Sequence, residues 1–479
     1  MGLIRILLWL GYSLLASAVL LGVAALVGVV SLEFVQAGLM AVLAAVTGLV
    51  GMLFVTASYR APTQESAAEA ILFLMLFWTV VPIVCSAPFY ALGATSGPIS
   101  AMFEGVSAMT TTGASALDPD ALSRTLRFWR SLLQYFGGVS AATFAAVILA
   151  ALNLSGTGVH RSSLFTFRTG ELFPRLVGIG RLVAAIYLLL AAVATVLMML
   201  GGTQTFDAVC LALSGIATGG LMPRAGPLST FLSPFSASVL ALLCLLGAFN
   251  VSIVWETLRQ RRLRQALRLF RHVEHRGLLA MIAALILVTI FFASLYNVGP
   301  AILDAVFFVS TAGYRYDVIS LDMVPSPLLI MLALIGGSAL STAGGIKVIR
   351  LLLLFRHLDT DVARLSHPSR VVPVQFRRAI IDDSSFLSIW MYFFGYALCF
   401  AFGAMAFTAS GLVLEDALAT AAASLANIGP LLDMTLPASG LRYADFTGVQ
   451  MVIATVLMLI GRVEVLVALS LILPSTWKQ

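Results

Sequence analysis

The sequence predicts an all-α polytopic membrane protein, and three observations lead to that fold class. The chain of 479 residues is 60% hydrophobic and only 10% charged. Its mean hydropathy of +1.02 is more than a water-soluble core of this size requires. Apolar runs of about 20 residues, long enough to cross roughly 30 Å of hydrocarbon, recur along the chain. The predicted spans are 5–29, 36–57, 68–93, 128–152, 178–201, 234–256, 277–297, 327–356, 386–409 and 447–473.

The basic residues predict the orientation of these spans in the bilayer. Of the 28 Lys and Arg residues, 21 fall in the N-terminus, the even-numbered loops, the C-terminus or the adjoining ends of the spans. Since cytoplasmic loops are enriched in Lys and Arg, both termini are expected to be cytoplasmic. The net charge of +6 therefore reports topology. No soluble basic domain is present, so the lipid bilayer and not a nucleic acid is the expected surrounding.

Internal repetition organises the chain beyond the first two spans. Four units follow one plan: a long span, a short apolar helix, a glycine turn and a second span. The short helices are expected in 103–114, 206–221, 303–314 and 414–430. Each carries an acid near its expected start, where a carboxylate would cap the helix and complement its dipole: Glu104, Asp207, Asp304 and Asp416. The predicted units are 1–60 with the two N-terminal spans, and repeats 61–156, 157–262, 263–365 and 366–479.

The four glycine turns predict a pore. Brought together around one axis, they would point four partly negative helix ends and rings of carbonyls at one place, which suits a dehydrated monovalent cation. Glycine permits the backbone dihedrals that this needs, and Thr112 and Thr218 add hydroxyl groups beside the same line. A single "TTTGA" is usually only a helix end. Four such turns, each between two spans, favour a pore with two N-terminal spans and four span–pore helix–span pseudo-repeats around it.

The span 327–356 contains an unusual glycine-rich stretch. Nine of the ten residues from Gly336 to Gly345 are Gly, Ala, Ser or Thr, and Lys347 follows. A packing face of small residues would explain part of this stretch, but here every face of the helix is weakened together, which favours a break. Lys347 is expected to reach toward the cytoplasm, and a gating role and a simple interfacial anchor explain it equally well.

Arg462 is a charged residue near the middle of the last predicted span, where an unpaired arginine costs roughly 3 kcal/mol. Glu464 does not share its helix face. Two interpretations remain open. In the first, Arg462 pairs with an acid on another helix, and in the second it faces a wet cavity as a barrier to cations. Both can hold at once.

Catalysis has little support in the sequence. The histidines His160, His272, His275, His357 and His367 lack the partners of a zinc site, and no nucleotide-binding loop is present. A secondary transporter with alternating access, coupling potassium or sodium to protons, remains the alternative. Inverted repeats would distinguish it from a pore with parallel repeats. A lipid-modifying enzyme would need clustered catalytic carboxylates or histidines, and none is evident.

Several stretches resemble the Trk/Ktr/HKT potassium transporter superfamily, in particular its TrkH-like bacterial subunits. They are "AMTTTGA", "FWRSLLQYFGG" (128–138), "ATGGL", "GGSALSTAGGIKVIR" and "MLIGRVEVLVALSLILPSTW" (458–477), in the family's order across the chain. The third turn, "STAGYR", and the fourth, "NIGPLLD", depart from the usual pattern.

The resemblance implies a gated potassium channel in the bacterial inner membrane that works as a homodimer on TrkA-like nucleotide-binding regulatory subunits. It implies no cofactor, potassium being only the transported ion, and Gly113 favours potassium over sodium. The implied filter residues are Thr111, Thr112, Gly113, Thr218, Gly219, Gly220, Thr311, Ala312, Gly313, Asn427, Ile428 and Gly429. The implied gate is the loop 336–347 with Arg462, and its residues are Gly336, Gly337, Ser341, Thr342, Gly344, Gly345 and Lys347.

Overall fold

A computed structural model describes most of the chain: residues 2–58, 67–151, 172–260, 269–293, 298–317, 319–366, 375–376, 379–380, 383–435 and 440–463. This part is almost entirely helical, apart from a two-stranded antiparallel hairpin of β1 (Gln375–Phe376) and β2 (Ala379–Ile380). The helices are α1 (Gly2–Val30), α2 (Phe34–Ala57), α3 (Ala67–Ala91), α4 (Pro98–Met109), α5 (Arg124–Ala151), α6 (Leu172–Leu200), α7 (Thr205–Ile216), α8 (Pro234–Ala248), α9 (Val251–Gln260), α10 (Val273–Ala293), α11 (Val298–Val309), α12 (Ile319–Asp322), α13 (Ser326–Ile335), α14 (Val348–Ser366), α15 (Asp383–Ala409), α16 (Leu414–Leu425), α17 (Leu431–Thr435) and α18 (Gly448–Val463).

Many of these helices are long and apolar enough to cross a bilayer. Within the described residues, 6 meet that requirement, and the bent pair α8 and α9 raises the number to 7. They lie in α1, α2, α3, α6, α10 and α15. α5 has the length, at 28 residues, but begins with Arg124, Arg127 and Arg130. The prediction of an all-α polytopic membrane protein is confirmed.

The two N-terminal helices are tied to the rest of the molecule through Glu33, in the connection between α1 and α2. One carboxylate oxygen accepts from the backbone N–H of Arg124 at 2.9 Å. The other accepts from the N–H and the hydroxyl of Thr125, at 2.9 and 2.6 Å. Glu33 therefore caps the N-terminus of α5 from outside that helix, where a negative charge also complements the helix dipole.

The second helix of two units is broken. α8 and α9 meet at an angle of 110° at residues 249–250, so the prediction of a continuous span over 234–256 is wrong. Asn250 explains the break, because its side-chain oxygen accepts from the N–H and hydroxyl of Ser252, at 3.1 and 2.7 Å, and starts a new helix there. In the next unit, α13 ends at Ile335 and α14 begins at Val348. Residues 336–347 between them, here called the glycine loop, are not helical.

Candidate functional site

The four short helices α4, α7, α11 and α16 each have 12 residues. Each is followed by one of the predicted glycine turns, defined here as glycine turn 1 (110–114), turn 2 (217–221), turn 3 (310–314) and turn 4 (426–430). In each turn, the second residue after the helix has a positive φ although it carries a β-carbon. The φ values are 57° at Thr111, 52° at Thr218, 64° at Thr311 and 54° at Asn427.

These positive φ angles give the four turns the same backbone conformation, which is strained at the three threonines and tolerated at Asn427. A left-handed backbone is a genuine outlier for a β-branched residue, and it persists only where the surroundings impose it. The predicted glycine follows two residues later in every turn. Gly113, Gly220 and Gly313 also have positive φ, at 79°, 75° and 71°, whereas Gly429 does not. The fourth turn therefore departs from the other three at its glycine.

Glycine turns 1, 2 and 3 touch one another in order. A methyl group added to Gly113 would lie 2.2 Å from the carbonyl oxygen of Gly219. One added to Gly220 would lie 2.2 Å from the carbonyl oxygen of Ala312. Both distances are far below van der Waals contact, so no side chain can be placed at these two positions without moving the next turn.

Glycine turn 4 closes the sequence of contacts into a ring. A methyl group added to Gly313 would lie 2.9 Å from the ring of Pro430 in turn 4. The N–H of Gly429 then donates to the carbonyl oxygen of Thr112 in turn 1 at 2.6 Å. The four turns, which are separated by about 100 residues each in the sequence, thus form one closed ring in the order 1, 2, 3, 4.

Buried polar side chains surround this ring. The hydroxyl groups of Thr110 and Thr112 lie 2.7 Å apart. Asn427 donates to the Thr112 hydroxyl at 2.9 Å and to the carbonyl of Met458 at 3.1 Å. The phenol of Tyr443 donates to the carbonyl of Gly429 at 2.9 Å. All of the predicted filter residues are buried, including the apolar Ile428.

Two of the four acids do not lie where the sequence interpretation put them. Glu104 and Asp304 are the seventh residues of α4 and α11 and cannot cap their N-termini. Pro98 is the first residue of α4 and Pro300 the third of α11, and proline favours a helix start. Both helices therefore begin five residues earlier than predicted. Asp207 and Asp416 do lie in the first turns of α7 and α16, as expected.

Glu104 and Asp304 instead hold the chain beyond the glycine. Glu104 accepts from the N–H of Ala116 at 2.7 Å, and Asp304 accepts from the N–H of Tyr316 at 2.5 Å. Both donors lie three residues after the glycine of their own turn. Glycine turns 1 and 3 are therefore braced alike, by a carboxylate from the preceding helix.

A cavity of about 600 Å³ opens beside the ring, lined by Gly113, Gly220, Gly313 and Pro430 among others. Arg315, the basic residue that departs from the family pattern, lies at this cavity but forms an ion pair with Asp322 at 2.5 Å. It also donates to the carbonyl of Asp433 at 3.2 Å. Its charge is therefore compensated, and it does not stand as an isolated cation beside the ring.

The glycine loop is buried from Gly336 to Ile346 and contacts three of the four turns. The Thr218 hydroxyl donates to the Thr342 hydroxyl at 3.1 Å, and the N–H of Gly344 donates to the Thr311 hydroxyl at 3.1 Å. A methyl group added to Gly344 would lie 1.8 Å from the carbonyl oxygen of Ala426. The loop therefore lies against the ends of the short helices, directly next to the ring.

The other predicted residues of the loop keep it closed on itself. Methyl groups added to Gly336 and Gly345 would clash with the backbone of Gly344 and Gly336, at 1.9 and 2.7 Å. The Ser341 hydroxyl donates to the carbonyl of Ser338 at 2.6 Å. The Lys347 ammonium donates to the Ala343 carbonyl, so its side chain folds back onto the loop instead of extending away from it. Gly337 also lies against Ala343.

Arg462 in α18 holds the middle of the glycine loop. Its Nη1 donates to the carbonyl oxygen of Thr342 at 2.6 Å. The guanidinium carbon lies 6.0 Å from the centre of the Trp78 ring, within the range of a cation–π contact. Arg462, Ser341, Gly344 and other residues line a small cavity of about 40 Å³. Among the described residues, no carboxylate forms an ion pair with Arg462; Glu464 lies outside them.

The loop is also held from a segment that the sequence interpretation did not assign. Glu274 is fully buried and accepts from the N–H of Ala339 at 3.1 Å. The buried His275 accepts from the N–H of Asn250 at 3.0 Å and stacks on Phe249, with ring centres 4.1 Å apart. The sequence shows only that Glu274 lies just before the predicted span 277–297, and its burial is visible only in the structure.

Comparison with known proteins decides the family. The family model described as "TrkH: Cation transport protein" matches residues 42–476. The chain belongs to the TrkH family. TrkH of Salmonella typhimurium is 30% identical over 432 residues, which cover 88% of each chain. TrkH of Escherichia coli K12 is 30% identical over 428 residues, 87% of each. The crystal structure of the potassium transporter TrkH from Vibrio parahaemolyticus matches with a TM-score of 0.86, 26% identity and full coverage of both chains.

The predicted family is thereby confirmed, together with the prediction that the chain is a transporter and not an enzyme. Both relatives carry the name "Trk system potassium uptake protein TrkH". The ring of glycine turns and the glycine loop are thus parts of a cation transport protein that crosses the membrane several times.

Proposed function

We propose that this chain takes up potassium through a channel-like pore whose selectivity filter is the ring of four glycine turns. The single observation that carries the proposal is the closed contact ring, in which the Gly429 N–H returns to the Thr112 carbonyl at 2.6 Å. Potassium is the proposed ion because the relatives are named potassium uptake proteins. The four predicted pseudo-repeats fit this arrangement, because each one delivers a short helix and one glycine turn to the ring.

The physical basis of the filter is the geometry of the short helices. Each helix ends at its glycine turn, so its partly negative C-terminus lies next to the ring. Irregular backbone at membrane depth is tolerated where it lines a wet pathway. Carbonyl and hydroxyl oxygens from four sides can replace the water around a monovalent cation. Gly113, Gly219 and Gly220 leave the space that the neighbouring turns need.

The glycine loop is proposed to be the gate. It contacts turns 2, 3 and 4 through Thr342, Gly344 and their partners. It thereby occupies the position where ions would leave the ring. Arg462 adds a positive charge at the same place. Ion passage then requires the loop to move, and small residues without bulky side chains allow that movement.

The assembly and orientation complete the proposal. We propose that the chain lies in the bacterial inner membrane with both termini in the cytoplasm and works as a homodimer on TrkA-like regulatory subunits. The arginine-rich stretch 259–276 is the proposed docking segment, of which residues 261–268 lie outside the described residues. Neutralising Arg261, Arg262 and Arg264 together should weaken copurification with the regulator. Undiminished copurification would remove this segment from the interface.

Two measurements test potassium uptake. The chain should restore growth of an uptake-deficient bacterial strain in low potassium, and the purified protein should carry potassium into proteoliposomes. Flux should follow the potassium gradient and should not respond to an imposed pH gradient. Correctly inserted protein that carries no potassium would refute the proposal. Flux driven by a pH gradient would instead support the ion-coupled secondary transporter.

A further inference from the structure

A chain of three buried side chains lies behind glycine turn 2. The Tyr314 phenol donates to the Ser214 hydroxyl at 2.5 Å, and that hydroxyl donates to Gln134 Oε1 at 2.5 Å. The Gln134 Nε2 then donates to the carbonyl oxygen of Gly219. Gln134 and Ser214 are fully buried, and Tyr314 is 1% exposed. These hydrogen-bonded side chains connect α5, α7 and glycine turn 3 to a backbone carbonyl of the ring.

The Gly219 carbonyl is the part of the ring that these hydrogen bonds reach. Gly219 directly precedes Gly220, and its carbonyl oxygen lies against Gly113 of turn 1. A methyl group added to Gly219 would lie 2.3 Å from the side-chain carbon Cδ of Gln134. The absence of a β-carbon at Gly219 leaves the space through which the Gln134 amide reaches the carbonyl.

The position of Gln134 along the short helix is set by a close contact of Gly137, three residues later in α5. The same kind of contact recurs in two other units. Methyl groups added to Gly137, Gly247 and Gly461 would lie 1.7, 2.2 and 2.1 Å from the carbonyl oxygens of Met109, Ile216 and Leu425. Each of these three carbonyls belongs to the last residue of a short helix.

The equivalent positions differ in chemistry. Three residues before each of these glycines stand Gln134, Cys244 and Met458. In the third unit, the glycine loop interrupts the second helix. Among the described helices, only α5 thus presents an amide at this position, and the carbonyl it holds belongs to the neighbouring turn.

We propose that Gln134 is a positioning residue that determines ion specificity, because it prevents the Gly219 carbonyl from rotating when a smaller ion enters the ring. A ring that can contract around sodium loses its preference for potassium. Ser214 and Tyr314 act through Gln134, since they fix the amide so that its N–H group, not its oxygen, faces Gly219. This inference rests on the proposed function of the ring as a filter.

Gln134→Leu tests the role directly, because leucine is similar in size but makes neither hydrogen bond. The measurement is the ratio of potassium to sodium flux in proteoliposomes. We expect that ratio to fall by about fivefold, the effect of losing the one hydrogen bond that Gln134 makes to the ring, at the Gly219 carbonyl. Tyr314→Phe should lower it less. The double variant should be no worse than Gln134→Leu, because the two residues act in one network.

Matched controls separate specificity from general damage. Gln450→Leu removes a buried amide that donates to Ser410 at 3.3 Å, away from the ring. Tyr135→Phe removes a phenol that donates to Ala184 at 2.7 Å. Neither should change the flux ratio. If Gln134→Leu does not fold, Tyr314→Phe alone decides the question, and a second readout is the difference in thermal stabilisation by potassium and by sodium chloride.

The outcomes distinguish this inference from the proposed function. A parent protein without preference for potassium would refute the filter itself. A selective parent together with a Gln134→Leu variant as selective as Gln450→Leu would refute only the role of Gln134. If Gln134→Leu cannot be purified, an unchanged ratio in Tyr314→Phe would overturn it.

Discussion

Arg462 donates a hydrogen bond of 2.6 Å from Nη1 to the main-chain carbonyl of Thr342. This bond joins α18 to the middle of the glycine loop, about 120 residues earlier in the chain. The same Thr342 receives the Thr218 hydroxyl at 3.1 Å and donates to the Gly247 carbonyl at 3.0 Å. One residue thus connects the loop to α18, to glycine turn 2 and to α8.

Arg462→Ala should raise the potassium flux measured without a regulatory subunit. The variant removes a charge-assisted hydrogen bond, worth roughly 1.5–3 kcal/mol, and the positive charge beside the loop. If the closed state alone loses that stabilisation, basal flux rises by roughly 10- to 150-fold. Proteoliposome flux measures it, with Arg259→Ala as the control because Arg259 is exposed on α9. Equal flux in the parent and both variants would show that Arg462 does not hold the gate.

Shortening the loop by removing Ser338 to Gly345 should raise basal flux and make it independent of the regulator. Ion preference should stay unchanged, because the residues of the proposed filter are not altered. The measurement combines flux with and without regulator and the potassium-to-sodium ratio. If the shortened protein inserts normally but conducts no more than the parent, the loop is a packing surface and not a gate.

Gly113→Ser should weaken discrimination against sodium. A side chain at this position would lie 2.2 Å from the Gly219 carbonyl oxygen and must displace it. The control is Gly178→Ser in α6, where an added methyl group meets nothing within 4 Å. We expect the potassium-to-sodium flux ratio to drop at least severalfold in the first variant and to stay constant in the second. A constant ratio in both would remove Gly113 from the filter.

Glu274→Ala should loosen the glycine loop from the other side. The variant removes the acceptor of the Ala339 N–H and leaves that buried donor without its partner, at a cost of about 1–3 kcal/mol. Basal flux should therefore rise. The exposed Glu256 of α9 provides the matched control, Glu256→Ala. If Glu274→Ala folds and its flux equals that of the control, the loop is not held from α10.

Glu33→Gln should lower stability in a pH-dependent way. Although partial burial raises the pKa of Glu33, hydrogen bonds from Thr125 and Arg124 and the charge of Arg127 bring it below the ordinary 4.5. A lowered folded pKa means that the ionised carboxylate stabilises the fold above pH 4.5. That contribution disappears as the pH falls through the lowered pKa.

The measurement for Glu33 is thermal unfolding in detergent at several pH values. At neutral pH, the free energy of unfolding of the parent should exceed that of Glu33→Gln by about 1 kcal/mol. The value is modest because the carboxylate is partly exposed. The difference should vanish in acid. A gap that persists unchanged into acid would show that charge is not the cause.

The sequence predicted the membrane fold and the four glycine turns because both depend on local features. Apolar length reveals the spans, and Gly113 or Gly220 stands out within its own stretch. The starts of the short helices were predicted less accurately. Glu104 and Asp304 were interpreted as helix caps, whereas Pro98 and Pro300 are the better signals of a helix start.

Contacts between distant segments could not be predicted. At the bend, His275 accepts from the N–H of Asn250, and Glu274 accepts from the N–H of Ala339, 65 residues later. Gln134 reaches Gly219 across 85 residues. Such partners are set by how the helices pack, and a single sequence carries no direct record of that packing.

The most direct test of a potassium-selective pore is the reversal potential of the purified protein in a planar bilayer with potassium on one side and sodium on the other. A filter formed by the four glycine turns predicts a reversal potential close to the potassium equilibrium value in the parent, unmoved by a pH gradient and shifted toward zero by Gly113→Ser. A parent reversal potential near zero, or one that follows the pH gradient, would contradict it.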